Sequence, residues 1–340
     1  MRRRQRLQIL LMAILLFLVA ADTLYWYIVE RNLADGFAAW RTNQQALGWQ
    51  IDSGEPIRGG WPINATLTIP AMTVRGGDRD FPGGLNWSTE HLELNVPLWH
   101  PTVLTASAPG AQRLRFANIP EIAYTTERMT LSLPLTEQTA VQQMAFDVTN
   151  LRESDASLGS LHAHLAFNPT APSNVAMLDI AAEARGIKPT GEFSRTLGPE
   201  ISHVIIDAVL NGPLPVGADG QAKALAWRNA GGSVVIRNFA LVWGPLDFSA
   251  NANLTLDDQL QPTGDGYARA IGYAETLDAC AAKGLITRST ATATKAVLSL
   301  LANYPADGGA PSVSVPLTLH DETLSMRQVP LIRVPAIKWP

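Results

Sequence analysis

A single cysteine, Cys280, stands in a chain of 340 residues, which excludes an intramolecular disulfide and any metal site built from several thiolates. Charge is scarce as well. Asp, Glu, Lys and Arg make up 16% of the residues and the net charge is −4, with no Lys/Arg-rich run beyond the first six positions. A nucleic-acid partner would need a basic stripe to neutralise phosphates, and none is present. The short signatures of catalysis are missing too: there is no G-x-S-x-G, H-E-x-x-H, S-x-x-K or P-loop. What the chain has in quantity is punctuation, 26 Gly and 23 Pro. Low charge with frequent turn residues favours short strands over a helical bundle.

The longest apolar run lies at the start. Arg2, Arg3, Arg4 and Arg6 precede Leu7–Ala21; Asp22 and Thr23 interrupt, and Leu24–Val29 resumes it. Residues 7–29 as a helix would measure about 35 Å, enough for a hydrocarbon core of about 30 Å. The arginines predict a cytoplasmic N-terminal segment, residues 1–6, and an exported remainder. Tyr25, Trp26 and Tyr27 would then sit at the outer interface, where amphipathic rings are favoured. The alternative is a signal peptide cleaved near Ala21, since Val19-Ala20-Ala21 resembles a small-residue cleavage site. Both readings export the rest of the chain. Leu33, Phe37, Trp40 and Leu47 then recur at helical spacing and predict an amphipathic linker helix over residues 30–50, ending near Gly48. It could lie on the bilayer, aided by Arg31 and Arg41, or pack against the following domain.

Residues 51–340 read as a β-rich domain. Trp61, Ile63, Ala65, Leu67, Ile69 and Ala71 alternate with Pro62, Asn64, Thr66, Thr68 and Pro70, the period-two mark of a strand with one dry and one wet face. The alternation returns at Leu92–Val96, Met129–Leu135, Leu161–Phe167, Phe248–Leu256 and Val313–Leu319. Sheets with one wet face are typically antiparallel. Trp87–Leu98 also aligns with Tyr124–Leu135, through an aromatic, Ser/Thr, Thr-Glu and a closing Leu-x-Val/Leu-Pro-Leu; Val313–Leu317 repeats the end. Curved or stacked hairpins would give such a repeat, and so would chance likeness between two amphipathic strands. Helices are predicted over Asp219–Arg228 and, with a break at Gly284, over about residues 270–303, where Tyr304-Pro305 stops them. The fold class is therefore α+β: an N-terminal transmembrane helix, then a mostly antiparallel, curved or stacked-hairpin sheet with helical insertions.

Several stretches together resemble a known family. They are the anchor, Leu47-Gly48-Trp49-Gln50-Ile51, Gly59-Gly60-Trp61-Pro62-Ile63, Trp227–Gly232, Trp243-Gly244-Pro245-Leu246, Asn253–Asp257 and the segment around Val315-Pro316-Leu317. They resemble a bacterial family known only as a domain of unknown function, number twenty-one twenty-five, although Trp61-Pro62-Ile63 replaces the Gly-Phe-Pro-Phe-like entry expected there. The likeness covers most of the chain and, since that family has no established activity, carries over no functional residue. The architecture is more loosely similar to AsmA-like proteins. This implies an inner-membrane-anchored periplasmic protein of envelope biogenesis or lipid homeostasis.

Candidate site residues are few. His162 and His164 share the polar face of one strand, but no acid or third His lies at a matching local spacing, so a solvated face is expected. Asp257, Asp258 and Asp265 around Gly264 and Gly266 lack the ligand order of a calcium loop and read as a polar turn. Cys280 follows Leu277 on a helix and reads as a small buried hydrophobe. Trp61, Trp243 and Trp339 adjoin Pro or Gly-Pro; they would pack sheet corners or, alternatively, stack on a sugar. No residue is assigned a catalytic, cofactor-binding or metal role, and a non-enzyme is expected. The expected partners are the membrane and, through the apolar sheet face, lipid acyl chains. A scaffold binding an envelope protein by its edge strands is the alternative, and a hydrolase with dispersed residues a third.

Overall fold

Helix α1 (Arg2–Ala46) runs without a break through both the apolar stretch and the amphipathic segment, which the sequence separates at residue 30. No proline lies within it, so nothing interrupts the ladder of hydrogen bonds. It stops at Gly48, whose φ of 93° lets Gly48 N–H and Trp49 N–H turn back to the carbonyls of Gln45 and Gln44. The structure is a computed structural model that describes residues 2–77, 84–116, 119–135, 142–154, 156–168, 171, 175–190, 196–213, 220–305, 308–326 and 329–339.

Among these residues, all strands join one antiparallel sheet. β1 (Gln50–Asp52) and β2 (Ile57–Gly59) both pair with β3 (Asn64–Gly76), which pairs with β4 (Leu85–Pro97). β5 (Val103–Ser107) and β6 (Gly110–Phe116) act as one interrupted strand beside β4. β7 (Ile122–Thr126) and β8 (Arg128–Pro134) lie on their far side and lead to β9 (Gln142–Glu153). A regular meander follows: β10 (Ala156–Phe167), β11 (Ala176–Lys188), β12 (Ile201–Asn211), β13 (Ser233–Trp243), β14 (Leu246–Leu256) and β15 (Pro262–Ile271). The short β16 (Ala302–Asn303) and β15 both pair with β17 (Ser312–His320), and β18 (Thr323–Met326) and β19 (Val329–Arg333) close the sequence of strands. α2 (Gly220–Asn229) joins β12 to β13, and α3 (Tyr273–Ala282) and α4 (Arg288–Leu301) join β15 to β16. The predicted break at Gly284 is present, with φ 74°. Asp219, the predicted start of the first insertion, lies outside the described residues.

The two halves of the sequence repeat are structurally related. β4 and the β7–β8 pair flank the same interrupted strand, and Trp87 Nε1 and Tyr124 OH both donate to Gln112 Oε1, at 3.1 and 3.0 Å. Gln112 Nε2 donates to Ala108 O and Thr126 Oγ1, so this buried amide is fully partnered where the strand breaks. Burial holds the Tyr124 phenol above its ordinary pKa.

The fully buried hydrophobic cluster gathers at one end. Leu33 and Phe37 of α1 cover Ile51, Leu67, Ile69, Met72, Leu94 and Val96 of the first strands. The amphipathic segment therefore packs on the domain. The alternation predicted from Trp61 to Ala71 is corrected at both ends. Trp61 and Ile63 lie in the turn before β3 and are exposed. Ala71 adopts φ 50° and points out, while Met72 points in. The twist at Ala71 shifts the in–out parity by one residue, which a strict period of two cannot anticipate.

Candidate functional surface

The register lines the apolar residues into unbroken rows. One crosses the sheet from β3 to β17: Leu67, Leu94, Ala106, Leu131, Phe146, Ala163, Ala182, Ile206, Phe239, Ala250, Ala268 and Val315 are directly opposed in turn. A second runs Met129, Val148, Leu161, Ala184, Val204, Leu241, Phe248, Ala270 and Val313. A third links Met144, Leu165, Ile180, Ala208, Ile236, Ala252, Gly266 and Leu317. A fourth links Phe167, Leu178, Leu210, Val234, Leu254, Gly264 and Leu319.

Parity survives across β13 because of a bulge. Ile236 and Phe239, three apart, both face the dry side, and the register shifts between them. Arg237 in that bulge stays on the wet side and pairs with Asp179 and Asp207, each at 2.6 Å. Those two carboxylates hold the guanidinium above its ordinary pKa. Gly264 and Gly266 fit where β14 and β15 approach closely: a Cβ there would stand 2.0 Å from Asn253 O and 2.2 Å from Asn251 O.

From β8 to β17 these rows measure about 38 Å across the strands and about 20 Å along them. Among their non-glycine residues only Val148, Ala208, Ala268 and Val313 are fully buried. The large side chains (Leu131, Phe146, Phe239, Leu241, Phe248, Leu254 and Leu317) are half-buried, and Ile206 is 37% exposed. The helical insertions do not seal this face. Trp227 of α2 donates to Asn211 O at the end of β12, and Tyr273 of α3 is buried just beyond β15. Leu300 of α4 is 86% exposed.

The wet face carries the candidate polar residues. His162 Nδ1 meets Asp147 Oδ1 at 2.7 Å, an acidic partner supplied by the neighbouring strand and therefore invisible to local spacing. His203 Nε2 lies 2.8 Å from Glu183 Oε1, which Arg185 also contacts. Arg185 and then His203 draw the Glu183 pKa below the usual carboxylate range against the opposing effect of partial burial. A shallow cleft of about 430 Å³ is lined by Ser132, Gln143, His164 and Asp179, among others. These are the residue types of a hydrolytic triad. The ladder puts Ser132 and His164 two strands apart, with Ala145 between them and their backbones about 10 Å from each other. Asp179 is engaged by Arg237. Among the described residues, no group of three His, Cys, Asp or Glu is placed to hold a metal ion.

The remaining candidates fall into place as corners and turns. Asp257 Oδ1 accepts from Gln259 N and Gln261 N, both at 2.8 Å, making the polar turn the sequence implies, and Asp258 pairs with Arg228. Asp265 is exposed. Trp243 Nε1 donates to Gly198 O at 3.0 Å and Trp339 Nε1 to Leu260 O at 2.8 Å. Cys280 is partly buried on α3.

Residues 5–46 of α1 contain a stretch long and apolar enough to cross a membrane, none of it buried against the rest of the protein. That stretch is compatible with an anchor or a signal sequence. Of the aromatic trio at its end, Trp26 turns to the domain, donating to Gly59 O and Asn64 O at 3.3 and 3.0 Å, while Tyr25 and Tyr27 are exposed.

A family described as an uncharacterised protein conserved in bacteria, DUF2125, matches residues 26–335, and the chain belongs to it. No curated protein and no solved structure matches the chain. The match begins at Trp26, where α1 first bonds to the sheet.

Proposed function

We propose that this member of the family is a non-enzymatic protein anchored in the bacterial inner membrane, with its sheet in the periplasm, that shelters lipid acyl chains in envelope lipid homeostasis. The observation that supports this reading most is the half-open dry face from β8 to β17, continuous with the strands that α1 covers. Its dimensions give roughly 800 Å², above the largest apolar patch of a typical monomer, about 300–600 Å². Leaving such a surface in water costs about 25 cal/mol per Å². An acyl chain, about 15 Å or half a bilayer core, fits within it. Binding of this kind needs no catalytic group, and on the wet face Asp147 meets His162, Glu183 meets His203, and Asp179 and Asp207 meet Arg237.

A scaffold reading has its own support. All residues of β19 are exposed and, among the described residues, only one of its edges is paired, so an extended segment of an envelope protein could add there. Native mass spectrometry of the full chain extracted in mild detergent separates the two. Co-purified phospholipid that is lost when Phe239 and Phe248 are both replaced by Asp supports the acyl-chain reading. A lipid-free chain that retains a stoichiometric envelope protein supports the scaffold.

A further inference from the structure

We propose that two loops of the sheet domain, Trp61–Ile63 and Leu98–Trp99, are built into the outer interfacial layer of the bilayer and hold the sheet in a fixed orientation to it. The inference rests on the anchor reading of α1. From Arg6 to Thr23 the helix rises about 26 Å, close to the thickness of the hydrocarbon core. Thr23 is therefore placed at the outer boundary when Arg6 sits at the inner one. Trp61 Nε1 donates to Thr23 Oγ1 at 3.2 Å, which sets the indole at the same depth. The second loop is tied to the same level: Tyr25 OH donates to Leu98 O at 3.4 Å, and Leu98 N–H to Ile63 O at 3.1 Å.

The loops present the residues that this layer favours. Trp61 is 52% exposed, Ile63 54% and Trp99 64%, beside the exposed Tyr25 and Tyr27 of α1. Indole and phenol rings partition to the headgroup level because one part is apolar and the other donates a hydrogen bond. Trp26 is spent on joining helix to sheet, so Trp61 and Trp99 complete the aromatic belt from outside the helix. Two loops and a helix fix an orientation that a helix alone leaves free. The strand ends at Asn64 and Pro97 then stand at the bilayer surface. Arg75, at the far end of β3, stands about 36 Å further out.

Spin labels in the full chain test this in vesicles of phosphatidylethanolamine and phosphatidylglycerol, on a Cys280→Ser background. Labels are placed by Ile63→Cys and Trp99→Cys, with Leu15→Cys and Arg75→Cys as references; Trp61 is left intact so that its bond to Thr23 survives. Collision with oxygen and with a water-soluble nickel chelate reports depth. The expected result is oxygen-rich contact at Leu15, intermediate depth at 63 and 99, and aqueous contact at 75. Aqueous contact at 63 and 99 with Leu15 in the bilayer overturns the docking and leaves the anchor. Aqueous contact at Leu15 overturns both. Shielding of 63 and 99 from both reagents means a protein cover, and also overturns the proposal.

Discussion

Glu30 is 1% exposed, and Arg58 Nε lies 3.2 Å from its Oε1, joining α1 to β2. Removing one partner of a buried ion pair leaves an uncompensated charge. Glu30 is that buried partner, whereas the Arg58 side chain is 54% exposed and solvent screens the pair, so Arg58→Ala is expected to destabilise by about 1–2 kcal/mol, with Arg58→Lys recovering part, as read by denaturant unfolding in nanodiscs. Glu183 shows the opposite regime. Its side chain is 35% exposed and its pKa is lowered, first by Arg185 and then by His203. A lowered folded pKa means a stabilising contribution that is complete above the unfolded pKa and lost as pH falls through the folded one. The Tm difference between the wild type and Glu183→Gln should accordingly be small near neutral pH and vanish below the ordinary carboxylate range. A gap that widens on acidification would contradict the assignment. Neither pair is legible locally. Arg58 and Glu30 lie 28 positions apart, and Glu183 meets His203 only through the β11–β12 ladder.

Elements with one clean face were legible, and those with two apolar faces were not. β4, β8, β10, β14 and β17 follow alternations visible in the sequence, as does the stop of α1 at Gly48. β12 carries Val204, Ile205 and Ile206 consecutively, which erases the period. β13 hides it differently, by the bulge at Arg237 that moves Phe239 back to the dry side. Alternation also assigns a face without saying whether anything covers it. Leu67 and Leu254 share the dry parity, yet Leu67 is 1% exposed under α1 while Leu254 is half-buried on β14. Leu67→Asp should therefore cost several kcal/mol, the scale of an unpaired buried charge, and Leu254→Asp about 1 kcal/mol. Equal costs in equilibrium unfolding would mean that the distal face is an ordinary closed core.

At the scale of the whole molecule, the dry face begins under the helix that carries the apolar run and continues beyond it with no second layer of comparable burial among the described residues. The family match, over residues 26–335, covers the sheet and brings no activity with it. The most direct test places a photo-crosslinking amino acid at three positions in the full chain reconstituted with phospholipid vesicles. Phe248 lies on the open dry face, Ser249 on the opposite face of the same strand, and Ile69 on the dry face beneath α1. Phospholipid adducts at 248, none at 249, and only self-crosslinks at 69 are expected. Adducts confined to the protein's own residues at 248, as at 69, would contradict the account.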